Sequence, residues 1–355
     1  MPLIVSQPYK ATTAVSTAAE LLFVEASGGP INTVLYSIDP TVNKFTVLNK
    51  VPSLPSYARS PAYSPDGNWF ALGTRYAPFL QLYRRSSTGD YTQVNIDYGT
   101  FPAPSTESAQ SQPLSFSKNG RMCYADYTGG GLRVFDLAAD GSTYVQIAYI
   151  TAVPGGISSA CISPDGQYIA VSTSSSTGAY LFKWNGTTYV RLTAGAQYGS
   201  SNPGAAGWLE WSKDGTYLFA TTTDASYSIV WWRFTSDVAT RVNYLAFGGG
   251  LRKFSLSPDN QYLAAYGAAA NGALIAIYKW NGSTTLTNLN VPKPAGVLSG
   301  IAFSPNGLYV AISGSVGTAN YQGKVYQRTG DSFALLPNNL QTNNSFGSHV
   351  VFRPI

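Results

Sequence analysis

A short pattern recurs along the chain and constrains its fold more than any other feature: an apolar strand ending in serine, a tight turn, then a second apolar strand. Ala62, Tyr63, Ser64, Pro65, Asp66, Gly67, Asn68, Trp69, Phe70 and Ala71 form one copy. The turn serines of six copies are Ser64, Ser117, Ser163, Ser212, Ser257 and Ser304, with separations, by subtraction, of 53, 46, 49, 45 and 47. A repeat of about 48 residues falls in the range of propeller repeats. Pro presets φ at the first corner of a turn, Asp or Asn bonds the nearby backbone, and Gly accepts positive φ. Downstream, Asn185-Gly186 and Asn281-Gly282 read as type I′ hairpin turns between a third and a fourth strand.

Four antiparallel strands per repeat make a propeller blade. A seventh copy is split between the ends of the chain. Near the start, strands are expected at 21–25, 32–37 and 44–48. At the far end His349, Val350, Val351 and Phe352 mimic Gly300, Ile301, Ala302 and Phe303. The expectation is an all-β, seven-bladed β-propeller, residues 10–355, closed by pairing of the C-terminal strand with N-terminal strands, preceded by an arm at residues 1–9.

The series Phe303, Ser304, Pro305, Asn306, Gly307, then Tyr309, Val310, Ala311, with its five relatives, resembles the WD-repeat-like propeller repeats of the TolB and lactonase-like families. The Gly-His pair and Trp-Asp dipeptide of true WD repeats are missing. The later part of the repeat, Tyr278, Lys279, Trp280, Asn281, Gly282, resembles propellers found in bacteriophage genomes. The resemblance implies architecture; propellers host unrelated activities.

Composition narrows the function. The chain has 355 residues, of which 22 are Lys or Arg and 17 Asp or Glu, a net charge of +5. At 11% charged it carries less than half the usual charge density, and its basic residues are scattered singly. No basic stripe suited to phosphates exists, so nucleic acid is not an expected partner. No apolar run reaches the length of a membrane helix, so membrane insertion is not expected either. Cys123 and Cys161 lie in apolar stretches without metal or redox spacing and read as buried thiols.

Chemistry-bearing constellations are few. The chain has one histidine, His349, on the closing strand near the channel. A three-histidine metal site within the chain is excluded. Asp66, Asp165, Asp214 and Asp259 recur at one turn position, so symmetry keeps them apart and denies them a paired acid and base. Asp126, Asp136, Asp140 and Asp237 lack the alternating pattern of a dedicated calcium loop. No cofactor, no metal and no enzymatic activity are expected. The adjacent Trp231 and Trp232 should face opposite sides of one strand, and Trp208 and Trp211 read as packing residues.

Variable loops gather on the face away from the serine turns. Tyr76, Tyr98, Phe101, Tyr127, Tyr198 and Tyr321 there, mixed with Ser, Asn and Gly, form a candidate partner-binding surface. The low charge and hydroxyl-rich surface suit an extracellular setting, yet Met1 to Lys10 shows no secretion address. A virion protein made in the host cytoplasm reconciles the two. The first expectation is therefore a non-enzymatic bacteriophage virion component of tail or capsid, contacting other virion subunits and a host-surface glycan. The alternative is a cytoplasmic or cell-surface TolB-like scaffold for a protein partner, and a lactonase-type enzyme comes third.

Overall fold

A computed structural model describes residues 19–25, 34–39, 44–48, 58–106, 114–126, 131–151, 153, 155–173, 178–193, 196–197, 206–222, 224–247, 250–269, 272–294, 297–316, 320–337, 340–341 and 347–354. The expected arm at residues 1–9 lies outside them. The chain is an all-β β-propeller. Each repeat folds into its own antiparallel sheet in which consecutive strands are neighbours, as in Ala58–Tyr63, Trp69–Thr74, Leu80–Arg85 and Tyr91–Val94.

The first strand of each repeat lies innermost. These are Ala58–Tyr63, Leu114–Phe116, Ile157–Ile162, Ala206–Trp211, Gly250–Leu256 and Val297–Phe303. A further sheet draws on both ends of the chain: Gly347–Phe352 pairs with Ala19–Glu25, followed by Val34–Asp39 and Lys44–Leu48. Its register sets Leu21 against Phe352, Leu22 against Val351 and Phe23 against Val350. Gly347–Phe352 packs in turn against Val297–Phe303 on one side and Ala58–Tyr63 on the other.

The serine turns form for the reasons their residues suggest. Each turn serine hydroxyl donates to the Asp or Asn two residues on, as Ser163 does to Asp165 and Ser304 to Asn306. The same Oγ accepts from the amide that opens the next strand, at 3.0 Å from Trp69, 2.9 Å from Tyr168 and 2.9 Å from Tyr309. These serines are buried, so the hydroxyl satisfies backbone that water cannot reach. At the fifth turn Asn260 takes the place of glycine and holds φ at +56°, which asparagine tolerates better than other side chains.

The Asn-Gly hairpins depart from expectation. Gly186 and Gly282 have positive φ, but Asn185 and Asn281 do not, and a type I′ turn needs both. Trp184 pairs with Tyr189 and Trp280 with Leu286, so the loops are longer than two residues. The asparagine side chain closes them: Asn185 Oδ1 accepts from the amides of Thr187 and Thr188, and Asn281 Oδ1 from those of Ser283, Thr284 and Thr285. These are Asx-type closures.

The core is a series of layers between adjacent sheets. Trp231 and Trp232 separate as strand alternation requires. Trp232 packs with Cys161, Leu181 and Leu209 toward the preceding sheet, and Trp231 with Phe254, Leu263 and Trp280 toward the following one. Polar clamps repeat between sheets on the turn face. Tyr168 and Lys183 both hold Asp237, and Tyr262 and Lys279 both hold Asp331. The ammonium groups are half exposed, so each clamp contributes little energy and mainly sets orientation.

Among the described residues one ion pair is buried. Arg133 Nε donates to Asp126 Oδ2 at 3.1 Å, with side chains 2% and 5% exposed. Its guanidinium lies 4.2 Å from the centre of the Tyr149 ring and also donates to the Pro102 carbonyl of the long insertion. Burial pushes Asp126 up to about 6 even against the attraction of Arg133, and Asp126 Oδ1 has no partner. Arg133→Met should therefore destabilise the fold by about 3–5 kcal/mol, because it strands a buried carboxylate. The double variant with Asp126→Leu should recover much of that loss in urea unfolding; a single variant costing under ~1 kcal/mol would show the pair to be idle.

Candidate functional site

Among the described residues, the inner strands border a cavity of about 290 Å³. Its wall includes one equivalent residue from each of them, two positions before the turn or its equivalent: Ala62, Ser115, Cys161, Glu210, Ser255, Ala302 and Val351. Three of these tie one inner strand to the next. Ser115 Oγ accepts from the Ile162 amide at 2.9 Å, Ser255 Oγ from the Phe303 amide at 3.1 Å, and the Glu210 carboxylate from the Leu256 amide at 3.3 Å. Inner-strand amides that would otherwise face the channel are thereby paired.

Two positions further from the turn, the strands are irregular. Register shifts fall at Arg59/Ala62, Ile157/Ser159, Ala206/Leu209, Leu251/Lys253 and Leu298/Gly300, and on the closing strand Ser348 is skipped between Gly347 and His349. A bulge re-aims the side chain beside it. The residues so placed are Ser60, Ser159, Trp208, Lys253, Gly300 and His349. Gly300 is glycine because a Cβ there would meet Ser313 Oγ at 2.5 Å and the Val350 amide at 3.1 Å.

Trp208 and Lys253 both line the cavity. Lys253 is 9% exposed, its Nζ lies 4.0 Å from the centre of the Trp208 ring, and no acceptor or carboxylate pairs with it among the described residues. Glu210 is close enough to be felt but is engaged elsewhere, by Lys213 Nζ at 2.7 Å and by the Leu256 amide. Burial therefore dominates, and it pulls the Lys253 ammonium down to about 8. Trp208 Nε1 is buried without an acceptor, as are Trp211 Nε1 and Trp280 Nε1, so it does not open onto the cavity. The Lys253 ammonium is the group on this wall that complements an acceptor-rich, anionic molecule.

The loop-face candidates fare differently. Tyr76 is 53% exposed, with Arg75 5.8 Å from its ring centre. Tyr98 instead packs edge-on against Phe135 at 6.2 Å, and burial pushes its hydroxyl up to about 12. Phe101 is half-buried in the insertion turn, where its amide bonds the Tyr98 carbonyl. Tyr321 sits in the strand Asn320–Thr329 opposite Ser315; Tyr127 and Tyr198 lie outside the described residues. The acids considered for calcium are dispersed: Asp126 meets Arg133, Asp136 meets Arg121, Asp140 meets Ser142 and Asp237 meets Lys183. Among the described residues no cluster of His, Cys, Asp or Glu could hold a metal ion, and no helix is long and apolar enough to cross a membrane.

Cys123 and Cys161 are buried free thiols. Burial pushes both upward, Cys123 to about 11. Sequence reasoning passed over Lys253 and gave Trp208 a packing role. The signal was present in the column four residues before each turn serine, where a lone lysine stands among small or aromatic residues.

No protein-family model matches the chain, and no curated protein matches it in sequence. Solved structures match in fold. A candidate 6-phosphogluconolactonase of Bacteroides uniformis superposes with a TM-score of 0.76 at 17% identity, over 95% of this chain and 99% of that one. A periplasmic gluconolactonase of Pseudomonas aeruginosa gives 0.70 at 17% identity, over 94% and 99%. TolB of Acinetobacter baumannii gives 0.51 at 16%, over 96% of this chain and 68% of that one. These likenesses support the TolB and lactonase-like resemblance and correct the expectation of a bacteriophage virion component: several of the near full-length matches are bacterial propellers with lactonase names. At such identities they establish the fold.

The buried ammonium has a measurable consequence. Below pH ~8 both folded and unfolded chains hold the Lys253 proton, and the fold bears the cost of the buried charge. Between about 8 and the ordinary lysine value the unfolded chain holds more protons, so stability rises with pH. Lys253→Met should stabilise the protein by roughly 1–3 kcal/mol at pH 7 in urea unfolding, a gain that shrinks toward zero by about pH 10.5. A loss of stability, or a gain independent of pH, would contradict this account.

Proposed function

We propose that the sheets are the blades of a closed seven-bladed ring and that its central cavity binds a small, hydroxylated carboxylate of the aldonic acid class. The pairing of Gly347–Phe352 with Ala19–Glu25, and a cavity wall drawn from every inner strand, support the ring. The observation that carries the ligand reading is Lys253 on the cavity wall, with no acceptor or carboxylate paired to it among the described residues. A carboxylate would pair with the ammonium and relieve the buried charge. The remaining wall, with Ser115 and Ser255, offers hydroxyls to a polyol.

Lactone hydrolysis is a second reading. The names of the structural neighbours favour it, as does an amine whose neutral fraction at mildly alkaline pH could accept a proton from water. The committed hydrogen bonds of Glu210 leave Lys253 as the base this reading would use. The expectation of a chain without enzymatic activity is thus reopened.

Calorimetric titration with gluconate and with glucose tests the ligand class. Gluconate should bind, glucose should bind at least tenfold more weakly, and Lys253→Met should abolish the difference. Equal behaviour of acid and neutral sugar would refute the anion reading. For hydrolysis, opening of glucono-δ-lactone above the uncatalysed rate should rise through pH ~8 and vanish in Lys253→Met; a rate equal to buffer alone would eliminate it.

A further inference from the structure

Lys253 differs from the other lysines that the structure describes in detail. Lys183, Lys213 and Lys279 each reach a carboxylate within 2.7 Å, and Lys118 and Lys293 lie exposed. Lys253 is held against the Trp208 indole by a bulged strand, lining a cavity, with no hydrogen-bond acceptor or carboxylate paired to its amine among the described residues. Desolvated lysines of this kind act as nucleophiles toward carbonyl compounds. The face of the Trp208 indole, which also borders the cavity, holds the amine in place.

We infer that Lys253 Nζ forms an imine with small aldehydes and 2-oxo acids that enter the channel. This rests on the channel reading above. In the reaction the neutral amine attacks the carbonyl carbon, giving a carbinolamine. The carbonyl oxygen then leaves as water, carrying the two protons that the nitrogen gives up, and a C=N double bond replaces one C=O. No oxidant or reductant is needed. A 2-oxo acid and a simple aldehyde both react through the amine alone. The cavity, at about 290 Å³, admits molecules of this size.

Burial supports the same chemistry through the amine's protonation. With Lys253 brought down to about 8, half of it is neutral at pH 8, against well under 1% of an ordinary surface lysine. The neutral fractions differ on the order of 100-fold. Glyoxylate or propanal with cyanoborohydride, which traps an imine as a secondary amine, should therefore label Lys253 ahead of Lys118 and Lys293. Peptide mass mapping after brief treatment at pH 8 reads the sites. The Lys253 label should fall about fifty-fold in rate at pH 6, following its neutral fraction.

The outcomes separate this inference from the anion reading. Lys253 labelled by propanal in a protein that ignores gluconate would sustain the imine and sink the anion site. Gluconate binding, with labels confined to surface lysines for both carbonyl compounds, would overturn the imine. Because mapping is done on the unaltered chain, the decision does not depend on the folding of a variant.

Discussion

The antiparallel pairing of the last strand, Gly347–Phe352, with the first, Ala19–Glu25, is the interaction on which the rest depends. It supplies an inner strand to a sheet whose other strands come from the opposite end of the chain. Val350 and Val351 thereby reach the cavity wall between Ala302 and Ala62. Without that strand the edge of Ala19–Glu25 would be unpaired, and the cavity would lose one side. The burial that lowers the Lys253 ammonium comes from packing of its strand, Gly250–Leu256, against the neighbouring inner strands.

Energetically the fold resembles a stack of similar joints. Each hydrophobic layer is shared by two sheets, so neighbouring repeats bury each other's apolar faces. The polar links repeat as well, with Tyr168, Lys183 and Asp237 mirrored by Tyr262, Lys279 and Asp331. Against this regularity Lys253 stands out as a position where a buried charge has no compensating partner. Functional sites are where local rules are broken at a cost to stability.

Much of the architecture was legible because its signals are local. The serine turns carry their own hydrogen-bond partners two and five residues away, so Ser163 and Ser304 announce their strands. The split sheet could be read because Val350 and Phe352 repeat the spacing of Ile301 and Phe303. The hairpins were harder, since an Asn-Gly pair serves both a two-residue turn and a longer Asx-closed loop, and cross-strand pairing decides. Tyr98 shows the limit for loops: composition marked it as a contact residue, while its packing partner, Phe135, lies 37 positions away and comes close through the fold alone. Lys253 was hidden for a similar reason. Its environment depends on bulges and on Trp208 of another repeat, which no single-repeat pattern contains.

The account is tested most directly by titrating Lys253 in solution. With lysine Nζ or Cε labelled for magnetic resonance, and the Lys253 signal assigned by its loss in Lys253→Met, the account predicts a midpoint near 8, well below the other lysines. A Lys253 midpoint at the ordinary lysine value, about 10.4, would mean that the amine is fully solvated or paired with a carboxylate, and would contradict the buried setting on which the proposed site is built.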